Sequence, residues 1–586
     1  MNEREKHLYL VYEIAQLSGL EHRLRAGEEL EVIALEYEVE LELKKRGIAY
    51  APLRSVAESC EGQREPIEVT RTAANEWYKH PELAFFAHDG ILLGRADPTA
   101  YFKERVQVDV ARMVAERRGI AIEVLPAPPP PAQSAARAGV AERATRFAVG
   151  ALNALVTVLR RPKPLRILST DPWARIEPFI KDMPDAELVM TRRKEIPNVG
   201  RAVWSRRVRF HHPLDFAGRA VRTLARARAE EFARAWDALG ESPEVSKLFA
   251  YHGSSFWLLA KNVLGAIVKD YGEDAVATIE SAKRIMSRYG INCVLLFSSV
   301  KGYNYLIARV AERMSIPSIE LQHALEVTEP SHPYARLYSR YLAAYGALTK
   351  KHYEQFGVEP RRIIEVGSPR FDRYAHPVPP GELEAARARL GIDGRLTALV
   401  TLPDRYASLE PISFTGYGVA GSVDAFAGLQ KRFPELRLLL RPRNRDSLYE
   451  RQEIRELFAA GTPWVQDDDL RTLLALCDVV ISGNSTVVLE AMLMHKPVLM
   501  YVSRSIDQDF KEFEEAGAVM MARTQEELLS HASALSGADT RQELVHRADR
   551  FLKENFILDG NSAQRVSSLI RRISPDGDGR PVARGR

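Results

Sequence analysis

The sequence predicts an α/β protein of two domains, each built on an open, mostly parallel sheet. Three observations lead there. At 586 residues the chain exceeds what one hydrophobic core ordinarily serves. Its apolar runs are short and alternate with stretches of helical spacing, the order of parallel strands joined by crossover helices. The alternation also runs twice, once in each half of the chain. The 46% hydrophobic content is that of a globular protein, and a net charge of +4 gives no ground for nucleic-acid binding through bulk charge.

In order along the chain, HLYLV, LEVIALE and IAYAPL read as strands, with YEVELELKKRG a helix that closes on Gly47. Residues 70–162 read as a helical insertion with a proline-rich linker, since the run APPPPA can join neither a helix nor a central strand. LRILSTD, AELVM and RRVRF resume the strands, 216–289 is helical, and INCVLLFSS and IPSIELQH flank the helix YNYLIARVAERM. Residues 1–334 form the N-terminal domain in this reading, with 335–572 the C-terminal one and 573–586 a flexible polar tail. RIIEVGSP, LTALVTL, LRLLLRP, VVISG and PVLMY supply the strands of the second series. Cys60, Cys293 and Cys477 are scattered and odd in number, which fits neither a disulfide framework nor a zinc site and matches a reducing compartment. MNEREKHLYL lacks the character of a secretion leader, and the apolar stretch 147–159 is shorter than the ~20 residues of a spanning helix.

The most informative stretch is VVISGNSTVVLEAM. A buried strand ends in Ser482, Gly483, Asn484, Ser485 and Thr486, and a helix follows. Ligands of parallel sheets sit beyond the carboxyl ends of the strands, and amides and hydroxyls at such a turn suit a phosphate. Glu490 lies one helical turn further on, where a carboxylate can accept from ribose hydroxyls. The competing reading is simple capping beside a partly buried Glu. LLLRPRNRD runs a strand into Arg441 and Arg443, whose guanidinium groups suit a diphosphate. Asp171 and His323 each follow a strand and are candidate proton acceptors. QDDDL (466–470) reads as a helix start rather than a metal site.

VVISGNSTVVLEAMLMHKPVLMY, together with IPSIELQHA, RIIEVGSPRFDRY and LDGNSAQRV, resembles the GT-B glycosyltransferases. Within them it is most similar to the group of CDP-glycerol glycerophosphotransferases, capsule and surface-polysaccharide transferases and UDP-N-acetylglucosamine 2-epimerases. The resemblance covers roughly 291–570. It departs from the pattern at Ala324, where glycine is usual, and at Arg441, where a histidine precedes the proline. It implies two Rossmann-like domains facing a cleft, with a returning C-terminal helix across the junction. The implied reaction moves a sugar or polyol-phosphate from a nucleotide-sugar or CDP-polyol donor to a hydroxyl of a saccharide or lipid-linked acceptor. His323 or Asp171 would be the base, with no metal and no cofactor. A cytoplasmic enzyme of surface-polysaccharide synthesis follows, with peripheral membrane contact through the basic-flanked apolar segment 144–164. The alternatives are an epimerase of the same group and a non-catalytic GT-B binding protein.

Overall fold

The computed structural model describes residues 7–52, 163–191, 208–322, 335–403, 419–442, 447–502 and 510–574, apart from a few single or paired positions. The expected insertion at 70–162 lies wholly outside the described residues, as do His323, Arg443 and the tail beyond 574.

The first strands, β1 (His7–Val11), β2 (Leu30–Ala34) and β3 (Ala51–Pro52), form a parallel sheet of their own. Val11, Leu17, Leu20, Val39 and Leu43 close its small core. The sequence reading had assigned this segment to the N-terminal domain. Instead the helix Tyr37–Lys45 is two-faced: Val39 and Leu43 serve its own sheet, while Tyr37 and Leu41 pack against the core of the last sheet. Arg451 donates to Glu42 at 3.0 Å beside that contact.

The next sheet is parallel throughout. Its strands are β4 (Leu165–Ser169), β5 (Ala186–Met190) and β6 (Val208–Phe210), then, after a small hairpin of β7 (Ala250–Tyr251) and β8 (Ser254–Ser255), β9 (Cys293–Leu296), β10 (Ser318–Leu321), β11 (Tyr341–Ala344) and β12 (Ile363–Glu365). The order is β12-β11-β10-β9-β4-β5-β6, so the direction of winding reverses between β4 and β9. The helical stretch before β9 is two long helices, Arg219–Gly240 and Trp257–Tyr289. Val221, Ala225 and Ala277 fill the contact between them. β11 and β12, which the sequence reading had placed in the second series, pair here instead, Ile319 opposite Tyr341 and Leu342 opposite Ile363. The sheet thus runs past the boundary expected at 334.

β13 (Thr397–Leu402), β14 (Arg437–Pro442), β15 (Val479–Ser482), β16 (Val498–Tyr501) and β17 (Met520–Ala522) make the last sheet, ordered β14-β13-β15-β16-β17 and again all parallel. Every residue of β15 is buried, which explains its unbroken Val-Val-Ile run. Winding reverses beside β13, the place where open parallel sheets bind their ligands.

The closing helix, Ser562–Ile573, then returns to the seven-stranded sheet, as its sequence led us to expect. Val566, Leu569 and Ile570 enter that sheet's core beside Phe179. Burial of each stabilises by about 1.5–3 kcal/mol. Arg571 pairs with Asp185 at 3.0 Å on the same seam.

Candidate functional site at the sheet edges

Thr401, one residue before the end of β13, and Ser482, the last of β15, lie on adjacent strands at the reversal point, and their hydroxyls bond at 2.7 Å. Ser482 is fully buried and spent on that contact. Gly483 is half-buried and Asn484 exposed. Ser485 accepts from the Val487 amide at 3.3 Å through its hydroxyl, which begins the helix Val487–Leu493. That helix is only seven residues long. The charged side chains around it therefore dominate the local field.

Glu490 is buried, and its carboxylate has protein donors. Arg370 gives a two-pronged bond, Nε at 3.2 Å and Nη2 at 2.6 Å, and the Tyr374 hydroxyl donates at 2.8 Å. Arg370 Nη2 also lies 3.4 Å from the Thr486 hydroxyl. Burial first, and then the neighbouring Glu490 charge, pushes the Tyr374 phenol well above its usual range, so it stays a donor. The acceptor positions that the sequence reading reserved for a ribose are thus met from within the protein.

Arg441 leaves the end of β14 and donates to the carbonyls of Val465 and Asp468 at 2.9 and 2.8 Å. Burial pulls its pKa down, against the charges of Asp468, Asp469 and Glu490. The QDDDL carboxylates are also engaged. Asp468 pairs with Arg389, and Asp469 with Arg373 at 2.6 Å. Asp469 also caps the helix Leu470–Leu476 by accepting from Thr472. Among the described residues no group of His, Cys, Asp and Glu is arranged to hold a metal ion.

On the seven-stranded sheet, Asp171 sits fully buried past the end of β4 and pairs with Arg175 at 2.9 Å. Arg175 also donates to the carbonyls of Leu321 and Gln322, at 2.6 and 2.7 Å. Sequence reasoning missed Glu320, two strands over on β10. Its carboxylate accepts from the Ser299 amide at 2.7 Å, and burial pushes its pKa up to about 7 despite Ser299 and Arg175, with Asp171 adding to the rise. The signal was present: a lone charged residue in the strand sequence IPSIEL. Cys293 and Cys477 are buried with thiols pushed up to about 12, unsuited to nucleophilic work at neutral pH.

The remaining motifs fit each other. Gly367 has φ +77° where a Cβ would lie 2.4 Å from the Ser562 hydroxyl. Asp372 accepts from the amides of Ser562 and Ala563, at 3.0 and 2.8 Å, and so caps the returning helix. Arg565 forks onto Asp559 and donates to the Val366 carbonyl at 2.9 Å. GSPRFDRY and LDGNSAQRV are therefore two halves of one joint between the sheets.

No protein-family model matches this chain. Over 151 residues it is 29% identical to the lipid-A-disaccharide synthase of Xanthomonas campestris pv. campestris, a stretch covering 25% of this chain and 32% of that protein. The chain thus matches about a third of the length of its curated relative. Among solved structures it is similar to the UDP-GlcNAc 2-epimerase of Neisseria meningitidis bound to UDP-GlcNAc, at 12% identity over 69% of this chain and 98% of that one, TM-score 0.43. It is also similar to the wall teichoic acid polymerase TagF, at 13% identity over 73% and 98%, TM-score 0.39. The fold, read from its own strand orders and returning helix, is α/β with two Rossmann-like sheets, the GT-B arrangement expected from the motifs.

Proposed function

We propose that this chain is a GT-B transferase. It moves a sugar or polyol-phosphate from a nucleotide-activated donor to a hydroxyl in the building of a surface polysaccharide. The observation that supports this best is Arg370 beside the Thr486 hydroxyl just past β15, next to the reversal point of the five-stranded sheet, with Arg441 in electrostatic reach of the Glu490 that pairs with Arg370. A diphosphate placed there meets cations and hydroxyl donors as charge develops on the departing nucleotide. The bond between transferred group and donor phosphate breaks, the acceptor oxygen forms the new bond, and its proton passes to a base. Asp171 is buried and paired to Arg175, which favours His323 for that role. The acceptor approaches from the seven-stranded sheet. A lipid-linked acceptor fits an enzyme at the inner membrane face that docks without spanning; no helix among the described residues is long and apolar enough to cross.

The test is a thermal-shift panel of CMP, CDP, UDP and GDP on the full chain, followed by turnover of UDP-GlcNAc and CDP-glycerol. A ligand at 100 times its dissociation constant stabilises by about 2.7 kcal/mol. A panel without any shift overturns the reading. Solvent isotope exchange into UDP-GlcNAc without an acceptor would replace it with an epimerase.

A further inference from the structure

We infer that Arg370 is the donor-facing residue of this edge and that Glu490 acts through it, holding its guanidinium for the donor's diphosphate. This rests on the transferase reading above. Glu490 is itself poorly placed to meet a ligand. Its side chain is 4% exposed, and it accepts from both Arg370 and Tyr374. Arg370 differs. Its Nε and Nη2 face Glu490, while the side chain remains 36% exposed, and the described residues offer no acceptor to Nη1. Nη2 also reaches the Thr486 hydroxyl at 3.4 Å, which sets the guanidinium at the turn where β15 gives way to its helix. Arg441, within electrostatic reach of Glu490 and Tyr374, supplies a second cation at the same edge. An arginine gripped along one edge by a buried carboxylate is already oriented, so a ligand binding its other edge need not order it. Arg370 comes from the joint Gly367–Tyr374 rather than from the five-stranded sheet, so the donor would touch the segment that links the two sheets.

The experiment is calorimetric titration of the full chain with UDP, 2′-deoxy-UDP and uridine, in the parent and three variants. Arg370→Gln should weaken UDP at least about tenfold, the loss of a charge-assisted contact, while changing uridine less than about twofold. Arg370→Gln combined with Glu490→Gln removes both charges together, leaves no unpaired buried carboxylate, and should show the same selective loss. Glu490→Gln should weaken UDP while preserving the parent's ratio of UDP to 2′-deoxy-UDP affinity. The inference is overturned if the double variant binds UDP like the parent, or loses UDP and uridine equally. It is also overturned if Glu490→Gln erases the ribose preference, which would return Glu490 to the sugar. A parent that binds no nucleoside diphosphate in the panel sinks the transferase reading and this inference with it; the other outcomes sink the inference alone.

Discussion

Asp372→Ala is the sharpest probe of the joint. The carboxylate accepts from two amides at the start of the helix Ser562–Ile573, at 3.0 and 2.8 Å. Those amides have no partner inside the helix, and a negative charge there also meets the positive end of the helix. Loss of a capping side chain costs about 0.5–2 kcal/mol, and a carboxylate serving two amides belongs at the upper end, about 2 kcal/mol. If the helix opens locally, that is about 30-fold faster hydrogen exchange in peptides covering 562–573. Asp372→Asn keeps one acceptor without the charge and should cost about 1 kcal/mol, about fivefold. Exchange in the core strand β15 should not change. An Ala variant with parental exchange refutes the capping argument. An Asn variant as damaged as Ala shows that packing, not the acceptor, holds the helix start.

Glu320→Gln should remove a pH dependence. The raised folded-state pKa means the parent's protonated carboxyl is stabilising below about 4.5 and that stability is lost as pH rises through about 7. Urea midpoints at pH 4.5 and pH 8 should therefore show the parent losing about 3 kcal/mol relative to the variant. Gly367→Ala should cost more than ~2 kcal/mol, because φ is +77° and the new Cβ would lie 2.4 and 2.6 Å from Ser562 and Ile557. Gly357→Ala, with φ +83° and open space, should cost only ~1 kcal/mol by thermal melt. Glu42→Arg should loosen the first sheet's helix against the last sheet by about 1 kcal/mol, read as faster exchange in Tyr37–Lys45, and adding Arg451→Glu should restore it.

Periodicity made the strands of both large sheets legible, since buried parallel strands write themselves as short apolar runs such as VVIS and TALV. Sheet membership was not legible. YLAA reads the same whether it joins one sheet or the other, and only its pairing with β10 decides. The turn Ser482–Thr486 stood out because a polar cluster follows a buried strand and opens a helix. Glu490 was found for its position, but its partner Arg370 lies 120 residues earlier in the chain, a distance no local pattern bridges. GSPRFDRY and LDGNSAQRV stood out as motifs, yet their complementarity appears only when Asp372 meets the returning helix. The first sheet's contact with the last was hidden for the same reason: Tyr37 and Leu41 look like ordinary members of one amphipathic stripe.

The returning helix also sets an order of assembly. Ribosomes deliver β4 to β12 first, but Val566, Leu569 and Ile570, which complete the hydrophobic layer against them, are translated only after all of β13 to β17. The seven-stranded sheet must therefore wait, with apolar surface open, until the five-stranded sheet has been made. A nascent chain released short of residue 562 would carry an exposed flank that chaperones and proteases can recognise.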